Sequence, residues 1–212
     1  MSTEEHTEQH PEQQDKQKDW DQRYRNDDTP WDSGLPSAEL RRVLAEQNIA
    51  PCRVLEIGCG TGSSAIYLAG QGYTVTAIDI SPTAIETARA RATEAGVAVN
   101  FVVTHIGGFE SPAEPFDFIF DRGAFHCIRK VYLQGLLVLL KRVTRPGTRY
   151  LTLTGNSDEL STDNMPRLRA ADLCSDLEEL FKIDQLRAFY FEDAPDLRGP
   201  LGWSCLMTRR GG

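Results

Sequence analysis

The chain has 212 residues, 40% hydrophobic and 25% charged, which suits one folded α/β-sized domain whose core needs no disulfide or metal staple. Thirty-one acidic residues against twenty-three basic ones give a formal net charge of -8, which sets the chain against a nucleic-acid phosphate backbone and against an anionic membrane surface. No run of about 18 apolar residues and no apolar signal-peptide core occurs, so neither a membrane span nor secretion is expected.

Residues 1–18 lack periodic apolar positions and are expected to be a disordered tail. From Asp19 to Leu40 aromatic residues mix with turn formers, and Pro30, Gly34 and Pro36 interrupt any long helix. A short helix, a structured loop and a second helix through about Gln47 are expected there. From Arg53 strands alternate with helices. Strands are predicted at Arg53–Ile57, Thr74–Asp79, Ala98–Val103, Phe116–Asp121 and Thr148–Thr154, each bounded by Gly, Pro or Asp. Helices are predicted near Gly62–Ala69, Pro82–Ala95 and Ile128–Thr144. The second of these opens with Ser81 as N-cap and Pro82 at the first helical position, with Ile85, Ala88 and Ala92 along one face. Such alternation builds a mostly parallel sheet covered by helices on both faces. After Asp172 a helix at about Ser175–Phe181 and strands at about Ile183–Phe191 and Gly202–Thr208 are expected.

Cys52, Cys59, Cys127, Cys174 and Cys205 are odd in number and scattered, with no CxxC pair and no Cys/His spacing suited to zinc. They read as reduced thiols of a cytoplasmic protein without a metal site.

The chemistry concentrates where the first strand ends. Val54-Leu55-Glu56-Ile57-Gly58-Cys59-Gly60-Thr61-Gly62 runs from an apolar strand into a glycine turn, where missing Cβ atoms let the backbone approach a ligand. A dinucleotide site would read GxGxxG, with a helix N-terminus facing pyrophosphate. Here the spacing is GxGxG, Ser63 stands where the dinucleotide glycine would be, and Glu56 precedes the turn. An anion there repels pyrophosphate and suits a cofactor whose amino-acid end carries an ammonium group. That favours S-adenosylmethionine over a nicotinamide. Asp79 ends the second strand seventeen residues after Gly62, where a carboxylate can accept both ribose hydroxyls; its plainer role is a cap ahead of Ser81 and Pro82.

Through VLEIGCGTG, TAIDIS and FDFIFD, covering roughly Arg53 to Thr154, the chain resembles the class I S-adenosylmethionine-dependent methyltransferases. Through TPWDSGLPSAEL (Thr29–Leu40) and FDRGAFHCI (Phe120–Ile128) it looks more narrowly like the thiopurine and halide/thiol methyltransferase group. The resemblance implies one Rossmann-like, doubly wound, seven-stranded domain over residues 19–212 with an antiparallel last strand, a lid over 19–47 and a cofactor-binding core over 53–154. It places Trp31 near the sulfonium end of the cofactor and Trp20 and Tyr24 in the lid. It adds Cys59 of the glycine loop, Ile80 and Asp121 to the cofactor contacts. The acid usual after the third strand is missing, and Thr104 and His105 stand in that region; His105 or the backbone of Ile106 is the candidate for adenine. Asp121, Arg122 and His126, where the fourth strand ends, are the catalytic or acceptor-side candidates, with a structural role for His126 weighed against a base.

Displacement at a sulfonium methyl group asks chiefly for alignment and exclusion of water. A thiol is already partly ionised near neutral pH, so the lack of a compelling base suits S-methylation of a small thiol or thione. O- or N-methylation of a small metabolite, and cofactor binding without turnover, are the alternatives. The expected product is S-adenosylhomocysteine, and the expected state is a monomer or weak dimer with no nucleic-acid or membrane partner.

Overall fold

The computed structural model describes residues 20–110, 112–159, 166–194 and 197–211, so the expectation for the tail lies outside the described residues. Helix α1 covers residues 20–25. In chain order there follow α2 (Ala38–Glu46), β1 (Arg53–Ile57), α3 (Ser63–Gly70), β2 (Thr74–Asp79), α4 (Pro82–Glu94), β3 (Asn100–Val103) and β4 (Phe116–Arg122). Next come α5 (Ala124–Val143), β5 (Thr144–Gly155), α6 (Ala170–Leu177), β6 (Phe181–Ala194) and β7 (Leu197–Arg209). One sheet takes the order β3-β2-β1-β4-β5-β7-β6. The pairs from β3 to β5 are parallel, and β7 runs antiparallel to both β5 and β6. The Rossmann-like, seven-stranded α/β architecture expected from the sequence is therefore present.

The strands read as apolar runs because both faces are buried. In β1, Val54 joins one core with Leu40, Val43, Leu68 and Ile85, under α2, α3 and α4. Its neighbour Leu55 joins the other core with Phe125, Leu136, Leu140 and Leu173, under α5 and α6. Truncating a fully buried side chain such as Phe118 or Phe120 would cost roughly 3–5 kcal/mol. Helix α4 opens as its sequence predicts. The Ser81 hydroxyl accepts the Ala84 amide at 3.1 Å, Pro82 takes the first turn, and Ala84, Ile85, Ala88 and Ala92 are buried.

Several boundaries differ from expectation, each for a local reason. α5 starts at Ala124 rather than Ile128, because Gly123 takes a left-handed φ of 83° and the Asp121 carboxylate accepts the Phe125 amide. β5 starts at Thr144 rather than Thr148. Pro146 and Gly147 lie inside a bulge, where the register moves from Phe116↔Thr144 to Phe118↔Arg149. α6 lies at Ala170–Leu177 rather than Ser175–Phe181, and Phe181 begins β6, fully buried against Tyr150. Among the described residues no helix is long and apolar enough to cross a membrane.

Candidate active site

The carboxyl ends of β1, β2 and β4 lie side by side, and the glycine turn crosses above them. Gly58, Gly60 and Gly62 have φ values of 67°, 54° and 82°, the left-handed region that favours glycine. The amides of Gly58 and Cys59 both donate to the Ile78 carbonyl, at 2.8 and 3.0 Å, which fastens the turn to β2. Asp79 completes the fastening. Its Oδ2 accepts the Gly60 amide at 2.8 Å and its Oδ1 accepts the Ser81 amide at 2.9 Å. The cap of α4 is Ser81, while Asp79 fastens the turn, and the Ile80 amide is a third backbone donor to its carboxylate, so a ligand hydroxyl would join oxygens that already accept protein bonds.

Glu56 is buried beneath the turn, and its Oε2 has no hydrogen-bond partner among the described residues. Burial, then the charges of Asp79 and Asp121, push its carboxyl up to about 8. A buried acid with an orphan oxygen beside a cradle of glycines fits the ammonium of an amino-acid cofactor.

The segment 20–37 covers this cradle. Trp20 and Tyr24 each pack edge-on to Trp31, with ring centroids 5.4 and 6.0 Å away. Trp31 Nε1 donates to the Tyr24 hydroxyl at 3.2 Å, and a Cβ on Gly60 would fall 2.6 Å from that hydroxyl. Sequence reasoning assigned the Trp31 face to a sulfonium, but in the structure the Arg23 guanidinium lies 4.1 Å over that ring. Three ties were missed, two in this segment and one in α2 behind it. Asp21 Oδ1 accepts the Ser81 hydroxyl at 2.8 Å and the Thr83 amide at 3.0 Å, while Asp32 accepts the Thr61 hydroxyl at 2.7 Å. The third is buried Glu39, ion-paired to Arg42 and Arg187, which hold its carboxyl down to about 2 against its burial. No local pattern signals acids whose partners lie 60, 29 and 148 residues away.

The β4 end holds the other candidates. Asp121 is buried, with Oδ1 accepting the Phe125 amide at 2.8 Å and Oδ2 the Tyr150 hydroxyl at 2.7 Å; burial pushes its carboxyl up to about 6. Arg122 donates to the Trp31 carbonyl at 2.9 Å and to the Glu192 carbonyl at 3.4 Å, and lies 5.0 Å over the Phe191 ring. It joins the segment 20–37 to the end of β6. Behind it, residues 33–39 close on Phe189, Tyr190 and Phe191 over a cavity of about 10 Å³. His126 is buried. Its Nδ1 accepts the Gly155 amide at 3.0 Å and lies 2.9 Å from Thr154 Oγ1, which assigns the remaining proton to Nε2. Burial, with Arg167 and Arg122 nearby, pushes its pKa down to about 4. A ring with its lone pair taken by the backbone is arranged as a structural histidine, and the reading of His126 as a base finds no support in this geometry.

At the other end of the cradle, β3 is the edge strand beside β2, and the Thr104 amide donates to the Asp79 carbonyl at 2.9 Å. His105 Nδ1 accepts the Gly107 amide at 3.1 Å, so the ring closes the turn after β3. Ile106 is buried in the core under α5, which leaves its backbone at the turn; Ile80 follows Asp79 on the rim.

Residues 54–147 match the methyltransferase domain family. Over 125 residues the chain is 34% identical to a 2-heptyl-1-hydroxyquinolin-4(1H)-one methyltransferase of Mycobacteroides abscessus, a match covering 58% of this chain and 55% of that one. Over 148 residues it is 32% identical to a probable thiol methyltransferase 2 of Arabidopsis thaliana, covering 67% of this chain and 63% of that one. The chain thus spans little more than half the length of these curated relatives. A structure solved in work on the conversion of a disulfide bond into a thioacetal group during echinomycin biosynthesis superposes with a TM-score of 0.76 at 26% identity, covering 92% of this chain and 91% of that one. Sheet order, glycine cradle and relatives agree: residues 54–147 are a methyltransferase domain, and the chain has the class I methyltransferase fold.

Proposed function

We propose that this chain transfers a methyl group from S-adenosylmethionine to the sulfur of a small thiol or thione, with residues 19–47 acting as a lid over the core at 53–154. The observation that carries the cofactor assignment is Glu56, a buried acid with an unpartnered oxygen beneath a glycine cradle that Asp79 fastens. Glu56 would hold the ammonium, Asp79 the ribose hydroxyls, Gly58, Cys59, Gly60 and Gly62 the close backbone approach, and Ile80, His105 and Ile106 the adenine surround. When bound, the cofactor supplies a methyl group made electrophilic by a sulfonium.

The chain's own residues then align and shield the acceptor. Trp20, Tyr24 and Trp31 exclude water from above, and Arg122 fixes the lid against β6. Among the described residues of the β4 end, the His126 Nδ1 lone pair is taken by the Gly155 amide, and Asp121 is fully buried with its oxygens on the Phe125 amide and the Tyr150 hydroxyl, so neither is presented to an acceptor as a base. That suits an acceptor that ionises by itself, as a thiol does. A second reading is favoured by the first relative, whose name carries a hydroxyquinolinone: methylation of an acidic hydroxyl, which also needs little base. The test is S-adenosylhomocysteine release across thiols, halides, phenols, hydroxamate-like hydroxyls and amines. A preference for thiols supports the proposal, turnover confined to hydroxyls replaces it with the second reading, and binding of S-adenosylmethionine without turnover of any acceptor leaves a binding protein.

A further inference from the structure

Helix α5 is broken at Tyr132, whose backbone at φ -152° and ψ 44° leaves the helical values of its neighbours. The side chain leans forward along the helix, toward Gly135. Its ring lies over Gly135, and a Cβ there would land inside the ring, so only glycine admits this arrangement. The hydroxyl reaches the turn after β3, and a Cβ on Gly107 would fall 3.3 Å from it. That turn is anchored from below by buried Ile106 and Phe109, which leaves His105, Gly107 and Gly108 on its outer side with Tyr132. Tyr132 is 36% exposed, so part of the residue is uncovered.

The sheet order says what faces that ring. Glu56 stands on β1, Asp79 on β2 and the turn follows β3, three adjacent strands about 4.8 Å apart. With the ammonium at Glu56 and the ribose at Asp79, the next step across the sheet carries the base to the 104–108 turn. A flat purine there needs an aromatic or apolar cover, and the expected acid is replaced by His105, whose Nδ1 is spent on the turn itself.

We propose that Tyr132 is a cofactor-positioning residue: its ring, held on Gly135 and set against Gly107, covers the adenine of S-adenosylmethionine. This rests on the cofactor reading above. Calorimetry on the full chain tests it with two probes, S-adenosylhomocysteine and 5′-methylthioadenosine, the second lacking the amino-acid end. Loss of one aromatic contact to a base should weaken both probes by the same factor, roughly tenfold, in Tyr132→Leu and Tyr132→Ala. Gly135→Ala, which expels the ring without removing it, should do the same, while Tyr132→Phe should keep most of the affinity. Tyr132→Leu preserves apolar bulk, so a melting temperature within a few degrees of the parent separates lost contact from lost folding. Unchanged affinity for both probes in Tyr132→Leu and Gly135→Ala overturns the inference. Weakening of S-adenosylhomocysteine alone would also overturn it, by putting the effect at the amino-acid end. Failure of the parent chain to bind either probe would instead overturn the cofactor reading.

Discussion

Arg122 Nη1 donates to the carbonyl of Trp31 at 2.9 Å, joining the end of β4 to a loop 91 residues earlier in the chain. Because the same guanidinium reaches the Glu192 carbonyl, one side chain holds the loop at Trp31 to the far side of the sheet. Lysine offers a point charge where arginine offers a fork, so Arg122→Lys should release one of the two carbonyls. We expect a lower kcat, weaker cofactor binding by about 1–2 kcal/mol and faster proteolysis within residues 20–37, with the melting temperature nearly unchanged. Unaltered proteolysis with lost turnover would instead put Arg122 in contact with the acceptor.

Asp79 carries two loads at once, and separating them is a second prediction. Asp79→Ala removes the acceptor for the Gly60 and Ser81 amides as well as the proposed ribose contact. Cofactor affinity should fall tenfold to a hundredfold, the equivalent of about 1.5–3 kcal/mol for charge-assisted bonds. Asp79→Asn keeps one carbonyl oxygen and should recover part of the loop order but little of the affinity. Calorimetry showing full affinity in Asp79→Ala would remove the ribose assignment.

The sheet was legible because its signals are local. Alternating apolar runs and the Ser81-Pro82 cap mark elements within a few residues, and β1 and β2 fall at the predicted positions. The glycine turn was legible for the same reason, since backbone conformation and spacing are written in consecutive residues. What sequence could not show were pairings across the chain: Asp21 with Ser81, Asp32 with Thr61, Arg122 with Trp31. Each joins the segment 20–37 to the core and leaves no periodic trace. His126 was ambiguous for a related reason, because its tautomer is set by the Gly155 amide, 29 residues away. The break at Tyr132 was hidden inside an apolar run that reads as uninterrupted helix.

Glu56 gives a third prediction, in pH. Its carboxyl stands near 4.5 when exposed and about 8 when folded, raised by burial first and by Asp79 and Asp121 next. The folded chain therefore holds a proton that the unfolded chain releases between those values. Stability of the cofactor-free chain should fall as pH rises through that window, by at most about 1.4 kcal/mol per pH unit for this group. Asp121, raised to about 6, adds a shallower fall over the lower part of the window. Glu56→Gln should flatten the slope above pH 6 in denaturation measured at several pH values. A ligand ammonium beside Glu56 favours its ionised form, so S-adenosylhomocysteine binding at pH 7 should release a proton. Calorimetry in buffers of different ionisation enthalpy reads this directly, and absence of release would place the ammonium elsewhere.

The lid yields a fourth. Deleting residues 1–18 should leave turnover nearly intact, since among the described residues Asp21 already ties this segment to the core. Deleting through Pro36 removes Asp21, Tyr24, Trp31 and Asp32 together and should abolish turnover while the sheet still melts cooperatively. Equal activity in the two truncations would take the lid out of the mechanism.

The last prediction concerns the acceptor. With the His126 lone pair held by the Gly155 amide and its pKa pushed down to about 4, the ring cannot take a proton without giving up a buried hydrogen bond. If the acceptor is a thiol, the rate should follow its thiolate fraction and level off near the acceptor's own pKa. His126→Ala should then cost far less than the roughly 10²–10⁴-fold expected on losing a general base, and its effect should appear in stability. Trp31→Ala should cost more turnover, because it removes the partner of Trp20 and Tyr24 and the aromatic face now under Arg23. Matched thiol and phenol acceptors compared across pH in both variants separate the readings. A strong preference for the phenol, with collapse of activity in His126→Ala, would reject S-methylation in favour of base-assisted O-methylation.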